Sequence, residues 1–281
     1  MSEPVKVTRS DTPAFRLPRR AGRCPSRSHR TGEAPLGLPA AVRACLFDLD
    51  GVLTRTAELH AEAWKRMFDA FLRERAAAQS AAFAPFERED YLRYVDGKPR
   101  ASGVASFLAA RGIELPVGDP DDLPTDETVH GLGNRKNDLV LTLIQMSGVD
   151  VYEGSIKYVR AARSAGLRLA VVSSSANCRE ILKIAGIRGD FEFVLDAVSA
   201  AREGLKGKPE PDTFVAAAHA LGVRPAHAAV FEDAIAGVAA GRAGDFGFVV
   251  GVDRLGQPER LAEVGADLVV GDLAELLRVS R

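Results

Sequence analysis

Two carboxylates, Asp48 and Asp50, stand two residues apart at the end of an apolar stretch, in CLFDLDGVLT (45–54). Burying an unpaired carboxylate is very costly, so something beside them must compensate. Three more polar clusters interrupt apolar runs: Ser173, Ser174 and Ser175 in VVSSSAN, Lys208 in KGKPEPD, and Glu232 with Asp233 in FEDAIAG. Brought together, the four carboxylates would repel one another unless a cation sat among them. Hard oxygen ligands favour Mg2+, which keeps near-octahedral geometry and some of its water. Ser173 adds a hydroxyl and Lys208 a positive charge. Backbone N–H groups that open a helix after Ser173 are a ready anion site. A divalent cation, a lysine and donor groups around a carboxylate suit phosphoryl transfer, which needs positioning and charge neutralisation above all. A carboxylate can also be the nucleophile, forming an aspartyl phosphate. Taken singly, each cluster has a plainer reading. Asp48 and Asp50 could close a turn, and Glu232–Asp233 could be an acid pair at a helix N-terminus. The serines could be a capping run, and Lys208 a solvated loop lysine. The ensemble argues for a site.

The elements that must position these groups alternate. Apolar strand candidates lie at 42–48, 167–172, 191–195, 227–231, 246–252 and 267–270, with helical stretches at 155–165, 177–185, 212–221, 234–243 and 258–264. Gly166, Gly186, Gly222 and Gly265 stand where helix C-caps are expected. This alternation predicts an α/β fold, a Rossmann-like doubly wound parallel sheet with helices on both faces. Parallel strands bring their C-terminal ends to one edge, where ligands of open sheets bind. So Asp48, Ser173, Lys208 and Glu232 should converge. Residues 56–149 contain no convincing strand, and Trp64, Met67, Phe68, Phe71 and Leu72 follow helical spacing. More helical pieces are expected at 102–111 and 136–147, with the acidic loop PVGDPDDLPTDE between them. The expected organisation is a tail over 1–40, a core in two parts (41–57 and 150–281) and a helical cap over 58–149 inserted after the first strand. The aromatic stripe is then the cap's own core.

Composition narrows the field. The chain has 281 residues and a net charge of −1, with no global pull towards nucleic acid or membrane. No apolar run approaches the roughly 18 residues of a membrane span. Residues 1–40 carry eight Lys/Arg against three Asp/Glu and six of the 15 prolines. That segment reads as a disordered basic tail without the apolar region of a signal peptide. Three cysteines without a C-x-x-C give neither a disulfide framework nor a zinc site, and fit a reducing, cytoplasmic setting. No phosphate-binding G-x-x-x-x-G-K-[ST] loop and no H-E-x-x-H is present.

FDLDGVLT, VVSSSAN, KGKPEPD and FEDAIAG together resemble, in order, the four motifs of the haloacid dehalogenase-like superfamily. TAELHAEAWK, GKPR, NRKND and SSSAN are similar to its β-phosphoglucomutase branch. The resemblance covers nearly everything except the tail. It implies that Asp48 is the phosphorylated nucleophile and Asp50 the general acid/base, followed by Gly51 at the phosphate. Mg2+ would be held by Asp48, the backbone carbonyl of Asp50, Glu232 and Asp233. Ser173 and Lys208, with Ser174 beside them, would hold the transferring phosphate. Thr56 and His60 would position Asp50. Arg100, Ser175 and Asn177 would hold a second phosphate, and Lys136 would face the substrate from the cap. The implied activity is a monomeric mutase moving phosphate between C1 and C6 of a β-glucose phosphate, through a glucose 1,6-bisphosphate. The alternatives are a sugar-phosphate phosphatase with the same nucleophile, and a non-catalytic binding protein on this fold. Two positions depart from the branch: Ala176, where many mutases have Lys, and Arg55, where they have Asp.

Overall fold

The structure, a computed structural model, describes residues 36–278. Six parallel strands form one sheet: β1 (Ala44–Phe47), β2 (Arg168–Val172), β3 (Phe193–Leu195), β4 (Ala228–Glu232), β5 (Phe248–Val252) and β6 (Leu268–Val270). Their spatial order is β3-β2-β1-β4-β5-β6. The chain steps outward from β1 on one side, then returns to β1's other flank with β4. That reversal opens a crevice between β1 and β4, the place where open parallel sheets bind ligands. Phe47 pairs with Val171 on one side and Phe231 on the other, so Asp48, Val172 and Glu232 leave the sheet level with one another.

The strands read as continuous apolar runs because both faces are covered. Side chains alternate between faces. Cys45 and Phe47 join a core with Tyr158, Ile181 and Phe231, under α5 (Glu153–Ser164) and α6 (Cys178–Ile184). Ala44 and Leu46 face the opposite core with Ala200, Phe214, Val238 and Leu261. That side is covered by α7 (Ala197–Arg202), α8 (Asp212–Ala220), α9 (Ile235–Ala243) and α10 (Pro258–Glu263). Helix α7 is not apparent in the sequence pattern. It is a six-residue helix held by Asp196, whose carboxylate accepts from the Ser199 N–H at 2.8 Å.

Between β1 and α5 the chain is helical: α1 (Ala57–Ala78), the single turn α2 (Arg88–Asp90), a π-helical turn (Tyr91–Val95), α3 (Arg100–Ala110) and α4 (Val129–Ser147). These helices enclose their own apolar cluster around Trp64, Met67, Phe68, Phe107 and Leu132. The Phe68 ring stacks on Trp64 and Phe86 with centroids 5.3 and 5.0 Å away, and meets Phe107 at 4.2 Å. Two linkers join this cap to the sheet, and they pair with each other. Arg55 N donates to Asp150 O at 2.8 Å and Tyr152 N to Leu53 O at 2.9 Å.

The expected tail falls mostly outside the described residues, and its boundary at 40 needs correcting. Leu36 and Leu38 pack against the sheet core, and the Tyr158 hydroxyl donates to Leu36 O at 2.9 Å. These two apolar residues lie in a Pro- and Gly-rich stretch that masks them in composition. No described helix is long and apolar enough to cross a membrane.

Phe68 is fully buried and touches three other aromatic rings. Phe68→Ala is expected to destabilise the helical cap by about 3–5 kcal/mol through lost burial and a residual cavity. Urea unfolding followed by circular dichroism measures it; a loss below about 1 kcal/mol would contradict this packing.

Candidate active site

Asp48 continues β1 by one more ladder bond, its N–H donating to Phe231 O at 2.9 Å. Its carboxylate is buried and accepts from the Lys208 ammonium. Lys208 also donates to Glu232 Oε1 at 2.6 Å and to Val172 O at 3.2 Å. All three side chains are nearly inaccessible to water. One lysine therefore ties the ends of β1, β2 and β4 together. Burial alone would lower the Lys208 pKa, but Asp48 and Glu232 hold it above its ordinary value. Burial pushes Asp48 well above the carboxylate range, with Lys208 opposing and Glu232 and Asp50 reinforcing. Asp233 is pushed up in the same way by burial, then by Glu232, Asp96 and Asp48.

The donor set has the chemistry of a divalent-cation site. Burial and mutual repulsion make Asp48 and Asp233 costly as bare anions, a cost that a cation relieves. Gly51 has φ +88°, and a Cβ there would overlap the Asp233 carboxylate. The chain after Asp50 thus passes directly against Asp233. Glu232 is placed differently from the other carboxylates. Its Oε1 takes Lys208 and its Oε2 takes the Ala234 N–H at 2.8 Å, so both oxygens are engaged by the protein. Among the described residues no three His, Cys, Asp or Glu side chains form a ready cage.

Asp50 sits in a different environment. The Thr56 hydroxyl donates to its Oδ1, and Thr54 and Thr56 share a hydrogen bond of 2.7 Å. His60 Nε2 lies 3.6 Å from the same Asp50 oxygen. On its other side His60 Nδ1 lies 2.9 Å from Lys136 Nζ, which rests 4.9 Å from the Trp64 ring centre. Burial pushes His60 down to about 4, and Lys136 and Arg100 add to this against Asp50. Burial pushes Lys136 down to about 7. With the Lys136 ammonium donating to Nδ1, neutral His60 carries its proton on Nε2, facing Asp50. Thr56 precedes α1, His60 lies one turn later and Lys136 is on α4. Asp50 is thus oriented from the cap, whereas Asp48 is held from the sheet.

A cavity of about 120 Å3 gathers Asp48, Asp50, His60, Arg100, Lys136, Ser174, Ser175, Asn177, Glu232 and Asp233. Gly51 and Thr56 support Asp50 from outside the lining. Ser173 and Lys208 open instead on a neighbouring cavity of about 670 Å3. Ser174 departs from the expected phosphate contact: its hydroxyl donates to Gly97 O at 2.9 Å, tying the loop after β2 to the cap. The other two serine hydroxyls accept from nearby amides, Ser173 from Ser175 N at 3.1 Å and Ser175 from Asn177 N at 3.2 Å. Asn177 Nδ2 reaches Asn137 Oδ1 on α4 at 3.0 Å.

Four contributors escaped the sequence reading. Trp64 belongs to the cap core but also lines the cavity beneath Lys136. Asn137 neighbours Lys136, inside the noted NRKND stretch. Tyr91 and Asp96 line the cavity on either side of the π-helical turn. Burial, against the Tyr91 hydrogen bond and with Glu232, pushes Asp96 up to about 6. The π turn breaks the helical period, so no amphipathic pattern marks either residue. Only their proximity to GKPR could have found them.

Gly51→Ala forces a side chain into the Asp233 carboxylate at a backbone conformation that L-residues rarely adopt. It is expected to weaken divalent-cation binding by at least about 10-fold, equivalent to about 1.4 kcal/mol. Thermal-shift titration with MgCl2 measures this; an unchanged midpoint would show that the Gly51–Asp233 approach is irrelevant to the cation.

Comparison with known proteins agrees with this geometry. The family model for haloacid dehalogenase-like hydrolases matches residues 42–245. A protein of Mycobacterium bovis named β-phosphoglucomutase is 55% identical over 246 residues, covering 86% of this chain and 94% of its own length. One of the same name from Bacillus subtilis is 33% identical, covering 84% of this chain and 92% of its own. Among solved structures, β-phosphoglucomutase of Clostridium difficile superposes with a TM-score of 0.65 at 26% identity, covering 84% of this chain and 93% of that one. Phosphotransferases of this kind generally use a divalent metal. The motif residues, the sheet order and these relatives agree: the chain belongs to the haloacid dehalogenase-like hydrolase family.

Proposed function

We propose that this protein is a β-phosphoglucomutase, converting β-glucose 1-phosphate to glucose 6-phosphate through a phosphorylated Asp48. One observation carries the reading. Two carboxylates two residues apart occupy separate environments: Asp48 under Lys208 in the sheet edge, and Asp50 under Thr56 and His60 from the cap. Separated environments give a nucleophile and an acid/base in one cavity. Asp48 attacks phosphorus, and the Lys208 ammonium stabilises charge on the transferring group. Asp48, the Asp50 carbonyl and Asp233, with Glu232 beside them, would hold Mg2+, which would supply charge neutralisation for the same group. Asp50 gives its proton to the departing sugar oxygen and later takes one from the accepting hydroxyl. Arg100, Ser175 and Asn177 hold the second phosphate of a glucose 1,6-bisphosphate while it reorients. Cap closure over a cavity of about 120 Å3 limits access of water to the phosphorylated Asp48.

The sequence supplies the observation favouring a phosphatase. Ala176 leaves the loop that faces the second phosphate one cation short, which weakens retention of the bisphosphate. Cys45 and Cys178 are buried free thiols, and burial pushes both well above their ordinary range. This fits a reducing compartment such as the cytoplasm and no thiol chemistry, in a protein acting as a monomer.

Incubation with Mg2+, β-glucose 1-phosphate and a trace of the 1,6-bisphosphate should yield glucose 6-phosphate in a coupled dehydrogenase assay. Free phosphate without glucose 6-phosphate would establish the phosphatase instead. Asp48→Asn should abolish either activity, and retained turnover would rule out the aspartyl phosphate.

Lys136 adds a pH dependence. With its pKa pushed down to about 7, it is charged below neutrality and loses its proton above it. Its charged form favours an anionic substrate, so kcat/KM should fall as pH rises past about 7. Lys136→Met should cost about 10–100-fold at pH 6.5, the worth of one charge-assisted contact, and remove that limb. An unchanged limb in the variant would assign it to another group.

A further inference from the structure

Arg254 lies in the loop after β5, outside all four family motifs. Its side chain is largely buried, with 13% exposed. Nε donates to Gly51 O at 2.7 Å and Nη1 to Gly271 O at 2.6 Å, while Nη2 is buried without a partner among the described residues. Its guanidinium carbon stands 3.5 Å from the centre of the Tyr152 ring. Arg55 approaches the same ring, at 4.4 Å. Tyr152 lies in the second cap linker, and its N–H donates to Leu53 O in the first linker. One arginine therefore joins three parts of the molecule: the turn directly after Asp50, the loop after β6, and the paired linkers on which the cap is mounted.

The geometry decides what this can do. The Gly51 carbonyl is held by Arg254, and the Asp233 carboxylate fills the space that a Cβ at Gly51 would occupy. Gly51 N also donates to Thr54 O at 2.8 Å, which closes the turn leading from Asp50 to Thr56. Burying a guanidinium with an unpaired nitrogen is costly, so its placement suits a fork that must reach two carbonyls at once. Lysine has no such fork. Two cations on the faces of one tyrosine ring repel each other but are each attracted to the ring, by about 0.5–1 kcal/mol or more when desolvated.

We propose that Arg254, seated on Tyr152, is a positioning residue that fixes the turn after Asp50 and so sets where the Asp50 carboxyl points when the cap is closed. This rests on the reading of Asp48 as nucleophile and Asp50 as acid. Arg254 touches neither the reacting phosphate nor the sugar. It acts on the step that needs a proton, and the leaving group therefore separates its role from a merely structural one. A sugar oxygen must be protonated as it departs; a 2,4-dinitrophenolate need not be.

The test is the single-turnover rate of transfer to Asp48 from glucose 1,6-bisphosphate and from 2,4-dinitrophenyl phosphate, with Mg2+ present. Asp50→Asn is the benchmark. It should slow transfer from the sugar by about 100-fold or more and spare the activated ester, as expected for loss of a general acid. Arg254→Ala should show the same pattern more weakly, about 10–100-fold on the sugar and within about 3-fold on the ester, the cost of an acid displaced by a fraction of an ångström. The half-saturating sugar concentration should stay within about 3-fold. Arg254→Lys should recover only part of the rate. Tyr152→Phe should resemble the parent, and Tyr152→Ala should follow Arg254→Ala. Should Arg254→Ala fail to fold, the Lys and Tyr152 variants make the same comparison. Equal losses on both donors, or no loss on either, would overturn the proposal while the benchmark leaves Asp50 its role. A benchmark that affects both donors alike would overturn the acid assignment and the proposal together. Transfer persisting in Asp48→Asn would overturn the nucleophile reading itself.

Discussion

The buried ion triad of Asp48, Lys208 and Glu232 is the constraint on which the rest depends. Three charges have been taken out of water at the edge of a sheet, where nothing apolar could replace them without ending the chemistry. Removing any one partner strands the others, a loss of several kcal/mol in such settings. The sheet order makes the triad possible. Only because β4 returns beside β1 do Asp48 and Glu232 leave neighbouring strands at the same level. Lys208 arrives from the far side, on the loop before α8, and also takes the β2 carbonyl of Val172. The fold thus fixes Asp48 before the cap contributes anything.

The cap contributes the opposite quality. Thr56 reaches Asp50 from the first linker and His60 from α1, backed by Lys136 on α4; these helices have their own apolar cluster, and the linkers pair with each other. Among the described residues, two neutral hydrogen bonds tie the cap to the loop after β2: Ser174 to Gly97, and Asn177 to Asn137. Each is a single neutral hydrogen bond, worth about 0.5–1.5 kcal/mol. Such contacts can be broken and remade as a cap opens, whereas the ion triad cannot. If Asp50 is the proposed acid/base, this couples its orientation to the position of the cap, and hence its proton chemistry to the exclusion of solvent.

Much of this was legible in the sequence because it follows short-range rules. Alternation of apolar strands with helices identifies the sheet, and polar residues at strand ends mark Asp48, Ser173 and Glu232. What was not legible depends on long-range or irregular geometry. Asp96 sits beyond a π-helical turn that obeys no amphipathic period. Arg254 stands about 200 residues from Gly51 in sequence and looks like any loop arginine. Ser174 is indistinguishable in sequence from its neighbours, yet its hydroxyl points to the cap rather than to a phosphate. Leu36 and Leu38 lie in a stretch whose prolines suggest a tail. Composition averages over such residues, and only the contacts decide.

The charges around the cavity are sorted by origin, and this shapes how a bisphosphate can lie in it. The sheet edge contributes Asp48, Asp50, Glu232 and Asp233, with Lys208 spent on two of them. The cap contributes Arg100 and Lys136, with Asp96 the exception. A phosphate on the cap side meets cations directly. One on the sheet side meets carboxylates, and repulsion there is relieved only by a further positive charge. In the proposed mutase the two ends of the bisphosphate would be bound by different means, one by protein cations and one with the help of a metal. Only the phosphate on that side would lie against Asp48. On this proposal, exchange of phosphate between the two ends of a sugar would require the whole molecule to turn over within the site, because the ion triad holds Asp48 in place.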